Sequence, residues 1–493
     1  MKSYLIGIDI GTSACKAAVF TPSGEIVSSA SAGYKVLYPG PDTALQHPDD
    51  WWSAVCSCLK KITSEIDPYD IACIGVDGQS WSAAAVDRNG EVLCPTPIWT
   101  DTSSVSQCEF MLKTIPESEW FAAGRNPVRP GYTLPKILKY KDETPGIYEK
   151  TEYILQSNGF IVYRLTGRAT LDYSQGYGLH CFDMQKRIIR EDMLGAIGIR
   201  TSLIPSPMPC GEIAGYVTAR AANETGLAEG TPVVAGGLDA ACASLGVGAT
   251  SPGRTQEQGG QAGGMSICTA GCDSTPELIM SCHVVPGMYL LQGGTTGGGG
   301  ALRWLRSVIS PDLSFADMDE AASSAPPGSG GLLFLPYLAG ERSPVWNPGA
   351  KGVFYGLTYS HTKAYMIRAV LEGTAYALRH NLETAAKAGA EVDVMRAMGG
   401  SALSRVWTQI KADVTGKTIE VPVVNEATVL GAALLAGEGA GVIESAAAAA
   451  DGIIKTGRVH NPGVAKAVYD REFARYLELY ERLSPMMKQG ETQ

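Results

Sequence analysis

Long apolar runs are missing from this 493-residue sequence. No stretch approaches the ~18 uninterrupted apolar residues that a membrane-crossing helix needs, and the alanine-rich segment 445–450 closes at Asp451. A charged-then-apolar leader is missing as well, because Asp9 interrupts the early apolar run. The expectation is a cytoplasmic protein with no membrane partner. Basic excess is also lacking. Forty Lys and Arg against fifty Asp and Glu leave a net charge of −10, which argues against nucleic acid as the main partner. An anionic ligand stays allowed, since local N–H nests and a bound metal outweigh a diffuse surface charge. Paired metal ligands are scarce too. The twelve cysteines are scattered, and Cys73, Cys181, Cys242 and Cys268 lie in apolar runs where a reduced thiol packs as a small hydrophobe. Cys56 and Cys58 form a C-x-C without a second pair at zinc spacing, and the six histidines are dispersed.

The length implies two large domains, and 45% hydrophobic with 18% charged residues fits an ordinary globular protein. Strand-like and helix-like segments alternate, the mark of an α/β protein. His47 to Ile66 carries Trp52, Val55, Cys56, Leu59 and Ile66 on one helical stripe, with Pro48-Asp49-Asp50 in its first turn. Residues 70–77 and 231–239 each read as a buried strand ending in an acid, and 86–93 as a hairpin. Leu403, Val406, Trp407, Ile410 and Val414 follow helical spacing as core, with Gly416 as a cap. Further helices begin at Leu430 and Val468.

Residues 6–16, I-G-I-D-I-G-T-S-A-C-K, are the most informative. A strand ends in Asp9 and turns at once through Gly11, Thr12 and Ser13 into a second strand, from Lys16 to Phe20. Such a turn leaves backbone N–H groups free to cradle phosphate oxygens, and Asp9 is placed to hold a magnesium ion. An ordinary β-turn with a solvated aspartate is the alternative. The 58 glycines concentrate at 259–264 and 293–300, which points to tight turns against a ligand. The turn at 259–264 again precedes a strand, Met265 to Thr269, with another from Met288 to Gln292. Two halves of similar plan would put a nucleotide in the cleft between them. The boundary falls at the Thr-Ser-Pro-Gly loop, giving units of 1–249 and 250–493.

Taken in order, the motifs resemble those of the FGGY carbohydrate kinases, in the superfamily of sugar kinases, heat-shock-70 proteins and actin, with the xylulokinase branch most alike. They are the D-x-G-T-S turn, Q-H-P-D-D-W-W at 46–52, V-D-G-Q-S at 76–80, P-I-W-T-D at 97–101 and P-G-Y-T-L-P-K at 130–136. Y-R-L-T-G at 163–167 and G-L-x-x-G-T-P-V-V-A-G-G-L-D at 226–239 follow. The second half adds L-P-Y-L-A-G-E-R-S-P at 335–344 and M-G-G-S-A-L-S-R-V-W-T-Q-I-K-A-D-V at 398–414. The resemblance implies two ribonuclease-H-like α/β domains, of the actin and hexokinase type, around a central cleft. It implies that the 1–249 unit binds sugar and carries catalysis, while the 250–493 unit binds nucleotide. ATP and Mg2+ are the implied cofactors, a small-molecule sugar or polyol the implied partner, and a homodimer follows by analogy alone.

By the same resemblance Asp239 matches the catalytic aspartate, accepting the alcohol proton as phosphoryl transfer proceeds. A helix cap for the segment from Ala240 is its bland alternative. Asp9 matches the acid near magnesium, and Gly11, Thr12 and Ser13 the phosphate turn. Lys16 goes with them, although a lysine opening a strand is more often solvated. Gln79, Ser80 and Trp81 fall where related xylulokinases contact sugar through a Gln-Met-His-Gly, so the pocket here differs in shape. Asp101 matches a substrate-side acid, with Ser103 where an arginine is common. Asn158-Gly159 stands where an Asp-Tyr is frequent. The second phosphate turn, usually Gly-Thr-Ser-Gly, is Gly260-Gln261-Ala262-Gly263, which keeps backbone donors and loses hydroxyls. Gly299, Gly300 and Arg303, with Gly399, Gly400 and Ser401, head helices where a nucleotide lies close to the backbone, or serve the fold alone. The expected activity is transfer of phosphate from ATP to a primary hydroxyl of a ketopentose or related polyol, D-xylulose first. Ribulose, another ketose, a sugar acid or a tetritol stay open, and a non-catalytic nucleotide switch is the rival from another class.

Overall fold

The computed structural model describes residues 3–424 and 426–488. Tyr4–Ile10 is apolar on both faces and forms β1 in the middle of a sheet covered on both sides. The chain returns antiparallel as β2 (Ala14–Phe20), and β3 (Ile26–Gly33) continues to the sheet edge. After helix α1 (Pro48–Glu65), β4 (Ile71–Gly78) joins the other side of β1 in parallel. Next come β5 (Ile213–Tyr216), antiparallel to its neighbour, and β6 (Pro232–Val234), parallel to β4. A short β7 (Gly237–Leu238) pairs with the end of β4. The strand expected over 231–239 is therefore two pieces. They split at Gly236, where φ is +80° and an added Cβ would lie 1.9 Å from the Val76 carbonyl.

The second sheet is built from β8 (Arg254–Gly259), β9 (Gly263–Thr269), β10 (Ile279–Cys282), β11 (Tyr289–Thr295), β12 (Val394–Met398), β13 (Thr418–Pro422) and β14 (Thr456–His460). Its spatial order is β10-β11-β9-β8-β12-β13-β14, and the six strands from β11 to β14 match β3-β2-β1-β4-β6-β5 of the first. In both, successive pairings run antiparallel, antiparallel, parallel, parallel, antiparallel. The faint repeat in the sequence is thus a full repeat of topology, with the turns at 11–13 and 260–262 in equivalent places.

Five more helices position the site: α2 (Asp239–Gly246), α3 (Gly299–Ile309), α4 (Lys363–Lys387), α5 (Arg405–Thr415) and α6 (Ala427–Gly439). α6 comes late in the chain yet packs on β1 and β4 of the first sheet and on α2. Close backbone approach makes this contact. A Cβ on Gly7 would lie 1.9 Å from the Val429 carbonyl, and one on Gly75 2.0 Å from that of Ala432. Helix and sheet approach this closely because both present glycine and alanine. One core expectation fails: Leu403 precedes α5 on a separate short turn and is 79% exposed. Among the described residues no helix is long and apolar enough to cross a membrane, and all twelve cysteines are free thiols.

Candidate active site

Parallel strands carry side chains at paired positions toward the same face. Asp9 of β1 pairs with Asp77 of β4, and Gly237 of β7 pairs with Asp77 from the other side. Two residues later Asp239 opens α2. Three carboxyl groups therefore gather at the carboxyl ends of adjacent strands, a usual ligand position in α/β sheets. Leu238, not Asp239, occupies the cap position of α2. Among the described residues, the Asp239 carboxylate accepts only the N–H of Ala240, at 2.6 Å through Oδ1, and it borders a cavity of about 350 Å³.

Burial and mutual repulsion set the charge of this cluster. Burial, then the charge of Asp9, lifts Asp239 to about 7. Burial lifts Asp9 to about 6, opposed by a hydrogen bond from Asp77 and by Lys16. Asp77 is fully buried, receives no hydrogen bond from any N–H or O–H among the described residues, and is pushed well above the carboxylate range by burial and by both neighbours. Of the three, Asp77 is pushed furthest toward its protonated form, and its interaction with Asp9 favours the proton on Asp77 and the charge on Asp9. The nearby Lys16 ammonium is held by Glu426, at 3.0 Å.

The first glycine turn reaches the cavity at Thr12. Its carbonyls are occupied: Thr12 by Gln46 Nε2 (2.7 Å), Gly11 by the Tyr34 hydroxyl (2.5 Å) and Ser13 by the Tyr34 N–H (3.1 Å). Among the described residues, nothing accepts from the N–H of Thr12 or Ser13. Trp99 Nε1 donates to Thr12 Oγ1 at 2.9 Å. The second turn is braced differently. The carbonyls of Gly260 and Gln261 accept the N–H groups of Gly299 and Gly300, at 2.8 and 2.9 Å. The Gln261 side chain accepts from Arg303.

An aromatic group forms one wall of the cavity. Trp81 (φ +59°) stacks on Tyr132 at 4.1 Å and leans on Tyr177, and Tyr132 stacks in turn on the buried His180. Lys136 holds this wall by donating to the carbonyls of Trp81, Ile98 and Gly131 at 2.9, 2.7 and 2.7 Å. Burial brings that amine down to about 7. Ser80 also reaches the cavity. Gln79 and Asp101 turn into the protein: Gln79 Nε2 donates to Gln46, while Asp101 accepts from the N–H groups of Ala44 and Ser103 and from the Ser103 hydroxyl. Neither borders the cavity. Asn158 reaches it indirectly. It donates to Asp172, which takes the Ser174 hydroxyl, and Ser174 in turn accepts the N–H of Leu238, next to Asp239.

A second cavity, of about 460 Å³, lies on the far side of Gly260 and Gln261. Leu302, Phe315, Ala316, Leu403 and Trp407 make it apolar, while Arg303, Asp319, Ser401 and Ser404 supply polar groups. Gly399 is fixed by a φ of +83° and sits against the carbonyl of Gly259. Ser401 Oγ accepts from Lys411, which is paired with the buried Glu257 at 2.6 Å. A polar cavity holding Asp239 and a more apolar one thus share a glycine turn.

Family comparison accounts for this pairing. Residues 4–246 match the N-terminal domain, and residues 271–440 the C-terminal domain, of the FGGY family of carbohydrate kinases. The chain belongs to that family. It is 28% identical to a xylulose kinase of Bacillus subtilis, over 97% of this chain and 96% of that one. It is 31% identical to a gluconokinase of the same organism, over 100% and 98%. The crystal structure of xylulose kinase from Rhodospirillum rubrum superposes with a TM-score of 0.91 at 28% identity, covering 98% of this chain and all of the other. The protein is therefore an FGGY carbohydrate kinase, and ATP is the phosphate donor of that family.

Within the FGGY kinase the structure brings Thr12, Ser80, Trp81, Asp239 and Gly260-Gln261 to one cavity, while Asp9, Gly11 and Ser13 do not line it and Asp9 couples electrostatically to Asp239. It places Arg303, Gly400 and Ser401 around the other, with Gly300 and Gly399 in the backbone beneath. Sequence reasoning missed Asp77, Lys136, Phe315, Asp319 and Arg342 as site residues. Asp77 had a usable signal, since C-I-G-V-D-G repeats the plan of L-I-G-I-D-I. The others depend on contacts between distant segments.

Proposed function

We propose that this chain transfers the γ-phosphoryl group of ATP to a primary hydroxyl of a ketopentose or related sugar or polyol, with D-xylulose the first candidate and Asp239 as the base. The observation that carries the reading is the shared turn. Gly260-Gln261 borders both the cavity holding Asp239 and the apolar cavity suited to a purine ring. A nucleotide bound in the second cavity would send its phosphates past that turn toward Asp239.

In this reading the unit 1–249 holds the acceptor and the base, and the unit 250–493 holds the nucleotide. Ser80 and Trp81 shape the acceptor pocket, while Gln79 and Asp101 brace its loops. Thr12 and Ser13 offer free N–H groups to phosphate oxygens. Arg303 and Gln261 flank the nucleotide, with Gly300, Gly399, Gly400 and Ser401 beneath it. Lys16 reaches the phosphates only after leaving Glu426. A magnesium ion fits the oxygen donors of Asp9, whose carboxylate takes no N–H donor and has Asp77, pushed toward its protonated form, behind it. Such an ion would neutralise phosphate charge. Asp239 accepts the hydroxyl proton late in transfer, and its elevated pKa makes it a stronger base than an exposed aspartate. The closing of the two halves excludes water as a competing acceptor.

One observation favours a second acceptor class. The gluconokinase relative covers the whole chain at 31% identity, so a sugar acid stands beside the ketose. The test is ADP release from magnesium-ATP across pentuloses, hexuloses, tetritols, glycerol and aldonates. Release driven by one of them carries the kinase reading. ATP turnover that no acceptor stimulates rejects it.

A further inference from the structure

One cation at the cavity has no ion-pair partner in contact with it among the described residues. Arg342 makes no ion pair, and its guanidinium donates no hydrogen bond to any described residue. The carboxylate beside it in sequence attracts the guanidinium without bonding to it: Glu341 Oε1 accepts the N–H of Thr296 at 2.8 Å and that of Arg342 itself at 2.7 Å. The backbone around it is pinned. Ser343 Oγ donates to the Gly294 carbonyl (3.1 Å) and accepts the Gly294 N–H (2.6 Å) on β11. The guanidinium carbon lies 5.4 Å over the ring of Trp99, and Trp99 is bonded to Thr12 of the first phosphate turn. A Cβ on Gly294 would come within 3.0 Å of the guanidinium, so a bare strand makes its seat. A fixed, partly buried charge without a partner is costly unless a ligand supplies one.

We propose that Arg342 holds the phosphoryl group in transit between nucleotide and acceptor. This rests on the kinase reading above and assigns its charge neutralisation to a residue of the second half that crosses the cleft. The bond from the γ-phosphorus to the β–γ bridging oxygen breaks, and ADP leaves with the electron pair. The acceptor oxygen bonds to phosphorus, and its proton passes to Asp239. The arginine gains and loses no proton; its planar donors meet the equatorial oxygens, where negative charge is spread. A carboxylate on a sugar-acid acceptor would present a similar planar oxyanion. The geometry favours the phosphoryl group, because Trp99 ties Arg342 to the phosphate turn.

The test compares wild type, Arg342→Gln and Arg342→Lys, after melting curves establish that all three fold. Binding of magnesium-ADP is measured with and without aluminium fluoride, a planar phosphoryl mimic. The expectation is that Arg342→Gln binds ADP within about twofold of wild type but loses about 30-fold or more of the tightening by fluoride, and that its kcat falls about 100- to 1,000-fold with neutral and acidic acceptors alike. Arg342→Lys should recover part of both. Equal tightening in Arg342→Gln overturns the assignment. So does a loss confined to the KM of carboxylate acceptors, which would make Arg342 a reader of the acceptor. If no acceptor stimulates the wild type, the kinase reading fails by itself, and the fluoride comparison still decides whether Arg342 meets a phosphoryl mimic.

Discussion

Replacing Asp239 with asparagine should move activity and stability in opposite directions. The carboxylate is held near 7 by burial and by Asp9, against an ordinary value of 3.8. In the folded protein above pH 7 it is ionised at a cost that the unfolded chain does not bear. A rise of this size corresponds to about 4 kcal/mol at most, and partial exposure to the cavity discounts it to on the order of 2 kcal/mol. The sign follows from proton binding. Between 3.8 and about 7 the folded state holds the proton that the unfolded state has released, so stability falls as pH rises through that range. Asparagine removes the penalty, so the variant should be the more stable protein at pH 8, with an advantage that shrinks by more than half at pH 5. Its kcat should fall by about 100- to 10,000-fold, the usual worth of a positioned base. Urea unfolding at the two pH values, with steady-state kinetics on the same preparations, makes the comparison. A variant no more stable at pH 8, or one that keeps activity within about tenfold, would refute this account of the site.

The same carboxylate should give kcat/KM an acid limb near pH 7, the value to which burial and Asp9 raise it, falling about tenfold per pH unit below it; a limb near pH 4 would mean an exposed base. Gln261→Ser restores a hydroxyl to the second turn and releases Arg303, so the KM for ATP should shift by about three- to tenfold with the acceptor KM unchanged. Titration with a fluorescent nucleotide checks the same change in the absence of turnover. Lys136→Met leaves three carbonyls behind the aromatic wall without a donor. It should lower the melting temperature and raise the acceptor KM, while the KM for ATP stays within about twofold.

The ends of β1 and β4 were legible because each is an apolar run closed by an acid or by glycine, and local sequence states that pattern directly. Helix α1 was legible for a similar reason, a single apolar stripe opened by proline. The split at Gly236 was not, since it answers to the Val76 carbonyl of another strand. The packing of α6 on the first sheet was equally hidden. Its sequence announces an all-round buried helix, but only Gly7 and Gly75, more than 350 residues earlier, give it a place to lie. Within the site, the turn residues could be read from composition and spacing. The place of Asp77 at a strand end could be read as well, but not its protonation, and Arg342 could not be read at all, because the meaning of each comes from what faces it. Asp77 takes its character from Asp9 one strand away, and Arg342 from Trp99 across the cleft. Leu403 shows the reverse error: helical spacing suggested core, while the chain has not yet entered α5 at that point and turns the side chain to the second cavity.

The central claim is that Asp239 serves transfer of the γ-phosphoryl group to a sugar hydroxyl. Rapid-quench turnover of γ-labelled ATP, with the best acceptor from the panel, tests it most directly. The account predicts label on the primary hydroxyl of the sugar in step with ADP formation, and neither product from Asp239→Asn on the same timescale. Label appearing only as inorganic phosphate, or undiminished transfer by Asp239→Asn, would contradict it.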